Sequence, residues 1–160
     1  MSESFWMDLY ERFQKMDKTR KNLLRRAVHP DDLIENPVFY ELYNMDNKTN
    51  RQRNQVLRMV FCLPYIRHAD NGQNLGSVFA RMEKNRPIVS EKRMIQLNRT
   101  EENDRAMEQL RRLLKQAQNE KEKAVVVDWN KMGRQLVFWN ENVRRDILED
   151  YFLALKKSNK

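Results

Sequence analysis

The chain has 160 residues, 31 Lys and Arg against 23 Asp and Glu, 40% apolar side chains and a formal charge of +8. A chain of this length can bury roughly 70% of the surface its unfolded form exposes, so it needs no disulfide or structural metal to hold a core, and it is short for two ordinary domains. No apolar run approaches the ~18 residues of a membrane helix, and Phe5-Trp6-Met7-Asp8 is not preceded by the basic segment of a secretory signal. The expectation is one cytoplasmic helical domain over residues 1–160, with an ordered core at about 5–157.

Three glycines, four prolines and no sustained polar/apolar alternation predict an all-α fold, a compact multi-helix bundle. Phe5, Trp6, Leu9, Tyr10, Phe13 and Met16 fall within an arc of about 140° on a helical wheel and predict an amphipathic first helix. A short second helix is expected from Thr19 as N-cap to the His29-Pro30 step. Pro30-Asp31-Asp32-Leu33 and Pro37-Val38-Phe39-Tyr40 each read as a proline-started helical turn.

Asn50 to Leu63 is helical in pattern but apolar almost all round, which predicts a central buried helix ended by Pro64. Its narrow polar stripe holds Arg51, Gln55 and Arg58, so the two arginines are expected to emerge together. Residues 64–73 read as a loop, 74–84 as a helix with Leu75, Val78, Phe79 and Met82 inward, and Arg86-Pro87 as its break. Ser90 should cap a helix containing Met94 and Leu97. Thr100 is a candidate cap for a helix with the stripe Ala106, Met107, Leu110, Leu113, Leu114 and Ala117.

Asn119 to Lys123 is expected to be a mobile connection. Val125-Val126-Val127 has strand composition but no obvious pairing partner, and reads as an extended approach to Asp128, the N-cap of a helix over 129–139. The last helix, 141–157, points Val143, Ile147, Leu148, Tyr151, Phe152 and Leu155 inward. Arg144 falls in the same arc, which calls for either a first-turn position short of the core or a buried carboxylate; Arg145 is spaced to pair with Glu149.

Little here suggests catalysis. The single cysteine, Cys62, lies in the run Met59-Val60-Phe61-Cys62-Leu63 and reads as a small core hydrophobe. One Cys with His29 and His68 cannot make a Cys/His zinc set, so no metal is expected. There is no phosphate-binding glycine loop and no Gly-x-Ser-x-Gly nucleophile turn. The carboxylate pairs Asp31-Asp32, Glu101-Glu102 and Glu149-Asp150 sit at helix starts or on exposed faces. The expectation is a protein that is not an enzyme and takes no cofactor.

Charge is the informative feature. Residues 51–100 carry ten basic and three acidic side chains, a net +7, and arginine outnumbers lysine 18 to 13 over the chain. Arginine forks suit phosphate, so a polyanionic partner is implied, with a merely solubilising surface as the competing reading. Arg93 and Arg99 flank Met94-Ile95-Gln96-Leu97 without suitably placed acidic neighbours, as do Arg51 and Arg58 on their helix. Arg111 and Arg112 follow Glu108, and Arg105 follows Glu101, at spacings that allow intrahelical ion pairs.

Several blocks occur together and in order: Leu24-Arg25-Arg26, Pro30-Asp31-Asp32-Leu33, Val56-Leu57-Arg58-Met59-Val60-Phe61-Cys62-Leu63, Arg67-His68, Leu75-Gly76, Gln96-Leu97-x-Arg99, Gln109-Leu110-Arg111-Arg112-Leu113-Leu114, Asp128-Trp129 and Leu148-Glu149-Asp150-Tyr151. Across about residues 5–155 the sequence resembles the CasB family, the small subunits of the type I-E CRISPR surveillance complex Cascade. The resemblance implies a non-catalytic helical subunit of a ribonucleoprotein. Its implied partners are the backbone and large subunits of Cascade, a second copy of itself, CRISPR RNA, and the target DNA strands of an R-loop. No membrane partner is implied. It also implies nucleic-acid contact at Arg51, Arg93, Arg99 and Arg112, with Arg111 beside them. Arg25, Arg26 and Arg58 lie in matched blocks, with either a nucleic-acid or an internal role. Because an R-loop exchanges one duplex for another of similar stability, modest backbone contacts can tip it.

Two other classes remain open on the sequence. A free-standing DNA-binding regulator would use the helices at 91–99 and 101–117 as a helix-turn-helix reader. A protein-binding scaffold would turn the basic face to acidic partners.

Overall fold

The computed structural model describes residues 3–43, 49–121 and 123–159. In chain order the elements are α1 (Glu3–Lys15), α2 (Lys18–Arg25), a 3₁₀ helix (Pro30–Glu35), α3 (Phe39–Leu42), α4 (Asn50–Cys62), a 3₁₀ turn (Leu63–Tyr65), β1 (Ile66–His68), α5 (Leu75–Phe79), β2 (Met82–Glu83), β3 (Arg86–Pro87), α6 (Glu91–Arg99), α7 (Asn103–Ala117), β4 (Val125–Val127), α8 (Trp129–Val137) and α9 (Glu141–Ser158). The fold is mostly helical, as its composition predicts. The strands correct the expectation of a purely helical chain.

α4 is the hub. Every residue from Gln55 to Cys62 is buried, and the helix packs against α7, α8 and the Pro30–Glu35 helix. Its start is held by a capping box in which Thr49 accepts from the Gln52 N–H and Gln52 accepts in return. α1 lies on α8, where the Trp129 indole Nε1 donates to the Trp6 carbonyl at 2.8 Å. α9 closes the molecule against α5 and α6, and the buried Tyr151 hydroxyl donates to the Val89 carbonyl at 2.6 Å.

Val125–Val127 does have a strand partner. It pairs in parallel with β1, Ile66 opposite Val125 and His68 opposite Val127. A parallel partner some 60 residues upstream leaves no local signal, and it sits inside the stretch that composition marks as loop. His68 then acts structurally. Its Nδ1 accepts from the Trp129 N–H at 2.9 Å, which leaves Nε2 to donate to Asp70 at 2.8 Å.

The predicted helix 74–84 is also corrected. It stops at Phe79, and the chain turns through a β2–β3 hairpin whose tip, Lys84 and Asn85, has φ of 53° and 67°. Two successive left-handed residues are the signature of a tight I′ hairpin turn. Asp17, not Thr19, caps α2. Thr100 does not cap α7, which begins after Glu102; its hydroxyl donates to the Gln96 carbonyl at the end of α6. Asn119 to Lys123, expected to be a mobile connection, is bracketed by an Asn119–Ala124 bridge, with Glu122 outside the described residues.

Cys62 behaves as its neighbours predict. It is fully buried, and burial pushes its thiol pKa up to about 12. The native protein is therefore expected to resist a thiol-specific aromatic disulfide reagent at pH 8, and to react with one equivalent only when urea unfolds it. Rapid stoichiometric labelling without denaturant would contradict the packing of α4.

Candidate nucleic-acid interface

The eight arginines singled out by sequence divide into three groups. Arg58 and Arg111 turn inward. Arg58 is 9% exposed, and its Nε and Nη2 donate to the carbonyls of Leu136 and Val137, at 2.7 and 2.9 Å, at the end of α8. Arg111 is half-buried, donates to the carbonyls of Ala27 and Val28, and lies over the Phe61 ring with its Cζ 4.0 Å from the centroid. Burial lowers the pKa of both guanidiniums. Arg25 is exposed but engaged: it donates to the Pro64 carbonyl at 3.0 Å and sits beside Tyr65.

The other five face solvent. Among the described residues no hydrogen bond or ion pair engages the side chains of Arg26, Arg51, Arg99 or Arg112, and Arg93 is held only by Gln116. The expectation that Arg51 and Arg58 emerge together fails: Arg51, in the first turn of α4, is exposed, and Arg58 is covered by the end of α8.

Arg51 opens onto a groove of about 540 Å³ between α4 and the α8–α9 junction. Arg58 forms its floor, Asn54, Gln55, Asn103 and Asn140 supply amides, and Phe138 is 42% exposed at its rim. Among the described residues no carboxylate lines it. Arg51, the exposed amides of Asn54, Asn103 and Asn140 and an exposed ring are donors and stacking surface suited to a sugar-phosphate chain with unstacked bases.

A second groove, about 530 Å³, runs between the end of α6 and α7 and brings Arg99, Arg105 and Arg112 together. Sequence spacing had paired Arg105 with Glu101. That pairing needs both on one helix, and α7 starts only at Asn103. Glu101, Glu102 and Glu108 also line this groove, Glu108 bonding to His29. Nearby on α7, burial lowers the Lys115 pKa, with repulsion from Arg111 and Arg112 adding to it. Lys115, whose Nζ lies 5.4 Å from the Tyr65 ring, is a basic residue that sequence reasoning passed over.

Two further arginines are structural, neither as spacing suggested. Arg144 is 6% exposed and donates not to a carboxylate but to the Asn98 carbonyl, 3.0 Å away, at the end of α6. Arg145 pairs with Glu141 at 3.1 Å, one turn back rather than one turn on.

A family model described as CRISPR-associated protein Cse2 matches residues 20–152. The chain belongs to the Cse2 family. It is similar to the CRISPR system Cascade subunit CasB of Escherichia coli (strain K12), with 37% identity over 95% of each chain. Among solved structures it is similar to a chain in the crystal structure of E. coli Cascade bound to a PAM-containing dsDNA target, at 36% identity and a TM-score of 0.79, covering 94% of this chain and 96% of that one. The resemblance carried by the Leu57–Leu63 and Gln109–Leu114 blocks is thereby borne out. In this member of the Cse2 family those blocks supply mostly core: of the three arginines within them, only Arg112 faces solvent unengaged among the described residues, while Arg58 and Arg111 hold helix ends and turns.

Proposed function

We propose that the chain is the small, non-catalytic subunit of a Cascade-type CRISPR surveillance ribonucleoprotein in the cytoplasm. Its exposed arginines hold nucleic-acid backbone and stabilise the target and displaced strands of an R-loop. Its partners are then the backbone and large subunits, a second copy of itself, CRISPR RNA and target DNA. The observation that carries the reading is the match of nearly the whole chain to a chain of Cascade on a dsDNA target. The unengaged Arg51, Arg99 and Arg112 support the mode of binding, since phosphate contacts position strands without reading sequence.

A helix-turn-helix regulator is less well supported. A recognition helix usually presents base-reading residues from its N-terminal turn. Here Glu101 and the N-cap Glu102 precede α7 and Asp104 lies in its first turn, carboxylates that would face phosphate.

The test is the Arg51→Ala, Arg99→Ala, Arg112→Ala triple variant. With a labelled oligothymidylate, three lost phosphate contacts should reduce the slope of log K against log [salt] by about 2, which is roughly 100-fold in affinity near 0.1 M salt. Helicity should be unchanged by circular dichroism. In the reconstituted ribonucleoprotein the same variant should lower R-loop yield. An unchanged slope together with unchanged yield would remove the arginine surface from the mechanism.

A further inference from the structure

The β2–β3 hairpin is a projection that neither composition nor helix periodicity announces. Residues 81–86 are exposed throughout. Its base is fixed to the core, where Ile88 N–H donates to the Arg81 carbonyl at 2.8 Å and the N–H of fully buried Val89 donates to the Phe79 carbonyl at 3.1 Å. The hairpin is therefore anchored at its base, and its turn is set by the left-handed pair Lys84 and Asn85.

Between this hairpin and α6 lies a groove of about 470 Å³ that gathers Lys84, Arg86 and Arg93. Among the described residues Glu83 is the one carboxylate in its lining, and it faces Arg81 at 3.9 Å. Arg93 is aimed by a relay from α7: the Gln116 Nε2 donates to the Ile88 carbonyl at 3.0 Å, and the Gln116 Oε1 accepts from Arg93 Nη1 at 2.5 Å. A guanidinium held by one nitrogen keeps its other donors free and gives up less entropy on binding an anion. Three cations around one concavity, one of them oriented in advance, form an arrangement that suits a phosphodiester.

We propose that this groove is a separate backbone-phosphate contact, in which the hairpin residues Lys84 and Arg86 act with Arg93 on a single nucleic-acid strand. The proposal rests on the nucleic-acid reading above and adds two residues and an element to it.

The experiment measures binding of the full-length Lys84→Ala, Arg86→Ala double variant to the labelled oligothymidylate across a salt series. A Lys156→Ala, Lys157→Ala variant, on the last turn of α9, serves as the control for bulk charge. Two lost contacts should lower the salt slope by about 1.4 and the affinity roughly 25-fold near 0.1 M salt, with the control close to the parent. An unchanged slope in the hairpin variant, with the Arg51, Arg99, Arg112 variant still impaired, overturns the hairpin contact and leaves the wider reading standing. Equal losses in the hairpin variant and the α9 control would assign the effect to net charge and also overturn it. If no variant changes the slope, both readings fall.

Discussion

Gly76→Ala should lower the unfolding free energy by about 3 kcal/mol or more, a shift easily seen in the urea midpoint. The reason is backbone, not side-chain, crowding. A Cβ on Gly76 would stand 2.4 Å from the Ile147 carbonyl oxygen and 2.7 Å from both the Tyr151 nitrogen and the Asp150 Cβ. These atoms belong to α9, which cannot yield locally without lifting off α5, its main contact. Gly133 provides the comparison. The three atoms nearest a Cβ there all belong to the Trp6 side chain, at 3.0–3.1 Å, and the gain in helix propensity of about 1 kcal/mol offsets the adjustment of that side chain. Gly133→Ala should therefore cost far less than Gly76→Ala, and similar midpoints for the two would show that α5 and α9 are not in backbone contact.

Arg58→Ala should cost about 3 kcal/mol, with Arg58→Met nearer 2. The side chain satisfies two carbonyls where α8 ends, a helix terminus whose partial negative charge favours a cation. Removing it leaves both oxygens without their donor and takes away the buried stem. Methionine restores the stem but not the donors. Urea denaturation of the three proteins gives the order, and an Arg58→Met variant as stable as the parent would show that water replaces the lost bonds. The substitution also loosens Val137 and Phe138 in the Arg51 groove, so a binding defect in an Arg58 variant would not by itself place phosphate on Arg58.

The local features of this protein are written in short stretches of its sequence. The stripe Phe5 to Met16 makes α1, and the near-continuous apolar run before Pro64 makes α4 the buried hub. Ser90, Asp128 and Asn140 cap α6, α8 and α9 through bonds spanning two or three residues. Cys62 is buried because its neighbours are apolar. The family, too, is legible in ordered blocks, because buried helix faces tolerate few substitutions.

What only the tertiary structure decided is the fate of each arginine and the pairing of each strand. Arg51 and Arg58 share one stripe on a helical wheel but lie about 10 Å apart along the axis. A wheel gives an angle and says nothing of what stands opposite at each height, so the end of α8 claims Arg58 and leaves Arg51 to solvent. In the same way the open end of α6 draws Arg144 into the interior. β4 finds its partner in β1, and Arg111 reaches back to carbonyls more than 80 residues away. Unpaired carbonyls at helix ends and strand edges must be satisfied wherever the chain brings a donor to them, and that proximity exists only once the helices have packed.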